Sequence, residues 1–174
     1  MGPNVTFYRG DDGAWSVGHI DGSVLLLEDQ GGGAAPDRTH IVTIGSDVLF
    51  YRSDDGTFFV AHISGSGHLI GSQSGSTAPN WTHIVTVGSN VLFYRSDDGT
   101  FFVGHIDSSG HLVETHSNVA APDWTHIVAV GCNLLCYRGD DGTFSVGHID
   151  RSGHLVETHS SGAAPNWTHI VALG

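Results

Sequence analysis

Residues 89–131 read "SNVLFYRSDDGTFFVGHIDSSGHLVETHSNVAAPDWTHIVAVG". Four apolar runs stand out in this stretch: Val91–Arg95, Thr100–Ile106, His111–His116 and Trp124–Val130. All are rich in Val, Ile, Phe, Tyr and Thr, the residue types that fit a pleated, packed surface. "SDDG" between the first two runs is a hairpin signal, because Asp-Gly supplies the positive φ of a tight turn. "DSSG" separates the second run from the third in the same way. "SNVAAPD" is longer, lacks that turn chemistry, and reads as a crossing from one sheet to the next. The runs do not alternate cleanly between apolar and polar residues, which suits strands covered on both faces.

This stretch is one of four copies. The histidines of "GHI" or "AHI" are His19, His62, His105 and His148, and those of "THI" are His40, His83, His126 and His169; every step is 43 residues. The repeats 3–45, 46–88, 89–131 and 132–174 fill nearly the whole 174-residue chain, which reads as a single domain, 1–174. A four-stranded unit of this length, with both faces covered by its neighbours, has the size of a propeller blade. The predicted fold is therefore all-β, a four-bladed β-propeller of four-stranded repeats. The sequence starts on a "VTFYRG" run with no "WTHIV" before it, and it finishes on "WTHIVALG". The last run is predicted to pair into the first blade and close the ring, which would cover an open edge.

Composition removes several classes of partner. The net charge is −12, and the six basic residues are all arginine. Such a surface repels a phosphate backbone and an anionic membrane, so neither nucleic acid nor a membrane surface is expected as a partner. No apolar run approaches the length of a membrane span, and no secretory signal is recognised before the first strand. Cys132 and Cys136 lie on one face of a strand, about 13 Å apart at ~3.3 Å per residue, too far for a disulfide. They read as free thiols.

The 13 histidines all sit at repeat positions. A residue copied with a structural unit serves the unit, and a buried imidazole can bond a neighbouring strand or turn. The sharper alternative is a ring of His40, His83, His126 and His169 in a central channel, binding Zn, Cu or Ni. No other metal or cofactor is indicated. The sets Arg9/Asp11/Asp12, Arg52/Asp54/Asp55, Arg95/Asp97/Asp98 and Arg138/Asp140/Asp141 read as turns closed by an arginine–carboxylate pair, since a calcium loop needs more oxygens at alternating positions. Asn80 and Asn166 fit the Asn-x-Thr pattern, but Asp37 and Asp123 hold the same register, which points to a turn-forming side chain. There is no Gly-x-Ser-x-Gly elbow, no phosphate loop and no nucleophile with a distinct base. Glu28, Glu114 and Glu157 occupy equivalent positions and form no obvious acid/base pair. On these grounds the chain is expected not to be an enzyme.

Trp81, Trp124 and Trp167 follow the crossing loop. They read either as core anchors or as platforms for the apolar face of a sugar, with Asn80, Asp123, Asn166, His111 and His154 taking hydroxyls. The first repeat departs from this pattern: Arg38 replaces the tryptophan, Leu25 the "GHL" histidine and Gln30 the "ETH" histidine. The second keeps His68 but has Gln73.

The strand "VLFYRSDDGTF", the following "GHI" and the joint "APxWTHIV" resemble the repeats of propeller lectins of the tachylectin and tectonin type, across all four units. That resemblance implies multivalent, non-catalytic binding of a monosaccharide or short glycan between blades, with avidity for clustered glycans. The expectation is thus a carbohydrate-binding propeller. The alternatives are a scaffold for protein contact, including a homo-oligomer, and a metal or enzymatic site in the central channel.

Overall fold

The computed structural model describes residues 4–23 and 25–172. The chain divides into two compact units, one of residues up to Pro79 with Ser108–His111, the other of Asn80–Asp107 with Leu112 onward. The first unit holds a sheet of β1 (Asn4–Tyr8), β2 (Ala14–Ile20) and β3 (Leu26–Gly33), and a sheet of β4 (His40–Ile44), β5 (Asp47–Tyr51), β6 (Thr57–Ile63) and β7 (Leu69–Ser76). The second unit holds a sheet of β8 (His83–Val87), β9 (Asn90–Tyr94), β10 (Thr100–Ile106) and β11 (Leu112–Val119), and a sheet of β12 (His126–Val130), β13 (Asn133–Tyr137), β14 (Thr143–Ile149) and β15 (Leu155–Gly162). All neighbours are antiparallel and in sequence order. The fold class is that of a four-bladed β-propeller, with one sheet per repeat.

Each four-stranded sheet takes its first strand from the "THIV" run of the preceding repeat and the other three from its own repeat. This is the offset that the sequence predicts. The predicted closing strand is where the structure differs. The β1–β3 sheet has three strands among the described residues, and residues 163–172 carry no strand. Trp167 is 55% exposed and Val171 76% exposed. The run has the composition of β4, β8 and β12, but an extended segment without a ladder has no backbone bonds to define it as a strand. Leu173 and Gly174 lie outside the described residues.

Burial explains the missing alternation. Val91, Leu92, Phe93 and Tyr94 are buried in succession on β9, as are Val48–Tyr51 on β5. The outermost strands β11 and β15 are largely exposed and carry the polar residues. A β-bulge recurs at one register in every sheet, between Val17 and Gly18, Val60 and Ala61, Val103 and Gly104, and Val146 and Gly147.

The joint between repeats is pinned by a tyrosine that the strand pattern alone does not single out. The hydroxyls of Tyr8, Tyr51, Tyr94 and Tyr137 donate to the carbonyls of Ala35, Ala78, Ala121 and Ala164, at 2.8–2.9 Å. The Tyr94 hydroxyl also accepts from the Trp124 amide at 3.4 Å. Burial pushes the Tyr94 phenol up to about 12, so the proton needed for donation stays in place. Asp37, Asn80, Asp123 and Asn166 adopt φ of 62–66° at this joint, the left-handed conformation that short polar side chains tolerate.

The "SDDG" turn is tightly built. In the third repeat, Arg95 donates to both oxygens of Asp98 at 3.1 and 2.7 Å, and Asp98 also accepts from the Thr100 amide at 2.9 Å. These bonds hold the Asp98 carboxyl far below its ordinary range, with the arginine bond the largest cause. Gly99 follows at φ 72°, and a Cβ there would stand 2.2 Å from the Ala120 carbonyl oxygen. Gly99→Ala therefore combines left-handed strain, about 1–2 kcal/mol, with loss of the Ala120 amide bond to the Gly99 carbonyl, about 1 kcal/mol. The expected loss is about 2–3 kcal/mol, read as a lowered urea midpoint at unchanged slope. A midpoint equal to wild type would show that the loop moves aside freely.

Candidate active site

The third and fourth repeats differ at one pair of facing positions. Phe93 and Phe102 are cross-strand partners on β9 and β10, stacked at 4.1 Å with 15° between planes. Trp81 meets them edge-on at 6.0 and 5.3 Å and is 4% exposed. In the fourth repeat the corresponding partners on β13 and β14 are Cys136 and Ser145. Trp124, 5% exposed, therefore faces small side chains where Trp81 faces two rings. The space left is a cavity of about 260 Å³ beside Trp124, within the second unit.

Its walls are mainly apolar, from Leu92, Phe101, Ile127 and Leu134, and its polar groups are few. Ser145 is buried and donates its hydroxyl to Glu157 Oε2 at 2.7 Å. The bulge makes this contact. Ser145 pairs with Ser160, and Gly147 with Glu157, so the extra residue, Thr158, lies between. Ser145 and Gly147 share a face because they are two residues apart. Without the bulge Gly147 would oppose Thr158, and Glu157 would point to the other face. Gly147 itself leaves room, since a Cβ there would stand 2.6 Å from the Val156 carbonyl oxygen. Glu157 is exposed, which puts its carboxylate at the cavity mouth. His116 also lines the cavity, its ring edge-on to His154 at 4.5 Å.

Cys136 is a wall and not a nucleophile. Burial first, and the Glu157 charge second, push its thiol up to about 12, and only the thiolate attacks. A thiol reagent at pH 8 is expected to label the exposed Cys132 readily and leave Cys136 unreacted in the folded chain. The sign follows from the shift: the fold favours the protonated thiol, a contribution held below the unfolded pKa and lost as pH rises towards 12. Equal labelling of both thiols would contradict the burial.

The residues singled out in the sequence separate. Trp81 is packed into the aromatic trio, Trp124 lines the cavity, and Trp167 stands in an exposed groove with Leu135, Tyr137, Phe144 and His169. Asn80, Asp123 and Asn166 are exposed turn residues. His154 has Nδ1 3.6 Å from Asp150. His111 is exposed and falls in the first unit, whereas the other seven fall in the second. The "THI" histidines bond to backbone carbonyls or to the threonine beside them. His83 Nε2 donates to the Thr125 carbonyl at 3.2 Å and His126 Nε2 to the Thr168 carbonyl at 3.1 Å. His40 Nδ1 and His169 Nδ1 sit 3.1 and 3.0 Å from the adjacent threonine hydroxyls. Among the described residues no group of three or more His, Cys, Asp or Glu side chains is placed to hold a metal ion. Ser145 and Glu157 are the functional candidates that sequence reasoning passed over. The available signal was the loss of two aromatic residues in one repeat.

No family model matches the chain. No curated protein matches it. Solved structures do share its fold, and the neighbours are β-propeller-like. A candidate 6-phosphogluconolactonase of Bacteroides uniformis aligns over 89% of this chain and 50% of its own, with TM-score 0.66 and 12% identity. The periplasmic gluconolactonase of Pseudomonas aeruginosa aligns over 91% and 53%, with TM-score 0.59 and 15% identity. The N-terminal domain of Nup159 aligns over 91% and 41%, with TM-score 0.57 and 11% identity. The chain thus spans about half the length, or less, of these structures.

These neighbours correct the expectation of a non-catalytic, lectin-like propeller and with it the expectation that the chain is not an enzyme. Two of the three carry lactonase names and none carries a lectin name. The resemblance to tachylectin- and tectonin-type repeats gains no support from the comparisons. The tryptophans repeat in the sequence without repeating their setting. Trp81, Trp124 and Trp167 have three different surroundings.

Proposed function

We propose that the chain hydrolyses a small cyclic ester, a lactone, in the cavity beside Trp124. The observation that carries this reading is a carboxylate, Glu157, held by a buried serine at the mouth of a largely apolar cavity. Such a cavity with a few convergent polar groups is the default shape of a small-molecule site. The substrate class comes from the lactonase names of two structures with this fold.

The residues supply a balanced reaction. Glu157 takes a proton from water as the water oxygen bonds to the acyl carbon. The carbonyl electrons move to oxygen, and an N–H of His116, which lines the cavity, is assigned to that developing charge. The intermediate collapses, the acyl carbon–ring oxygen bond breaks, and the ring oxygen receives the proton from Glu157. The product is an open-chain hydroxy acid. Ser145 acts as a positioning residue, since its hydroxyl holds Glu157 Oε2 and leaves Oε1 for water. Trp124 and the aliphatic wall exclude bulk water and pack the ring.

The test is acid release by the purified chain, followed in a pH-stat with a panel of γ- and δ-lactones, glucono-δ-lactone among them. Turnover of at least one lactone above the buffer rate is expected. A panel hydrolysed no faster than in buffer overturns the proposal.

A further inference from the structure

The first unit contains a second cavity, about 500 Å³, walled by Trp15, Phe50, Phe58 and Phe59, with Arg38 and Arg52 on its rim. Arg38 holds the register where the other repeats have Trp81, Trp124 and Trp167. In the second unit the turn arginine covers that tryptophan: Arg95 lies 5.5 Å from the Trp81 ring and Arg138 5.7 Å from the Trp124 ring. In the first unit the corresponding Arg52 meets a second guanidinium instead of a ring.

The charges around the two arginines are unequal. Arg52 is matched by Asp55, a bidentate partner, and by Asp54 at 3.1 Å. Arg38 has no ion pair among the described residues. Its Nη1 donates to the Thr57 carbonyl at 3.1 Å and contacts the Thr57 hydroxyl at 3.4 Å. Its Nε is buried with no acceptor among the described residues. Burial, and then the charge of Arg52, lower the Arg38 pKa, while Tyr8 and Asp55 oppose that shift. An arginine stays protonated in proteins, so a half-buried cation without a carboxylate is left beside an aromatic cavity in a chain of net charge −12.

We infer that this cavity binds a small aromatic carboxylate, its ring against Trp15, Phe50 and Phe59 and its carboxylate on Arg38. A guanidinium fork matches a carboxylate geometrically, and the flat walls match a ring. An anion there completes the missing counter-charge. This site is separate from the Glu157 cavity and does not depend on the lactone reading.

The experiment is calorimetric titration of the full chain with benzoate, with benzyl alcohol and inorganic phosphate as companions. Benzoate is expected to bind most tightly of the three. Arg38→Gln is expected to weaken benzoate by about 10–100-fold, the worth of a charge-assisted bond, and to leave benzyl alcohol unchanged. Arg38→Trp copies the residue of the sibling repeats, so it is expected to fold and to lose benzoate by filling the cavity. No binding of benzoate to the wild-type chain overturns the inference, as does equal binding by folded Arg38→Gln. Phosphate binding as tightly as benzoate overturns the aromatic part of it. Where Arg38→Gln does not fold, retention of benzoate binding by Arg38→Trp overturns the site.

Discussion

Glu157→Gln is expected to lower lactone turnover by about 10²–10⁴-fold, the range typical of a lost general base. The amide keeps the shape of the carboxylate and can still accept the Ser145 hydroxyl through its oxygen. It cannot take a proton from water. The loss is therefore expected in kcat with KM little changed, because the cavity walls that hold the ring are untouched. Glu157 is exposed at the cavity mouth, so the substitution is also expected to leave the thermal midpoint within the scatter of a surface change. Steady-state rates on the best substrate of the lactone panel check the first expectation, and a melting curve checks the second. An undiminished kcat would remove Glu157 from the chemistry.

The architecture was largely legible because a repeat states its own boundaries. The 43-residue step, the "SDDG" turn and the offset of the "THIV" run all survive in the structure. Gly99 and Gly110 have the positive φ that those turns were expected to need. The strand pattern did not show that Tyr94 pins the joint, since a tyrosine on a buried strand looks the same whether or not its hydroxyl crosses to Ala121. The closing run carries no strand among residues 163–172, because composition says that a strand is able to form and not that a ladder forms on it. The candidate site was less legible for a different reason. Cys136 holds the register of Phe50 and Phe93 with a smaller side chain, but its partner is Ser145, on the next strand. Only the cross-strand pairing turns two separate substitutions into one vacancy. By sequence Glu157 is one of three equivalent glutamates. Its copy Glu114 shares the bulge but has Phe102 where Glu157 has Ser145. Repetition made the fold readable and masked the site, because what matters at the site is where one copy breaks the pattern.

Cys136→Phe with Ser145→Phe is expected to abolish turnover and raise stability together. These are the residues the third repeat uses, where Phe93 and Phe102 stack at 4.1 Å beneath Trp81. Placed beneath Trp124, the two rings would occupy the cavity of about 260 Å³ that the substrate needs. Filling a void returns lost packing, and cavity-filling changes commonly add about 0.5–2 kcal/mol. The aromatic pair adds about 0.5–1.5 kcal/mol beyond area, against about 1 kcal/mol for the lost Ser145–Glu157 bond. Glu157 stays hydrated at the surface, so the variant strands no buried carboxylate. A core position behaves differently: a substitution that overfills it costs about 1–3 kcal/mol. A rise in the urea midpoint with hydrolysis at the buffer rate would mean that the fourth repeat gave up stability to hold a site. A fall in the midpoint with turnover retained would mean that the opening beside Trp124 is slack in the packing and that the chemistry lies elsewhere.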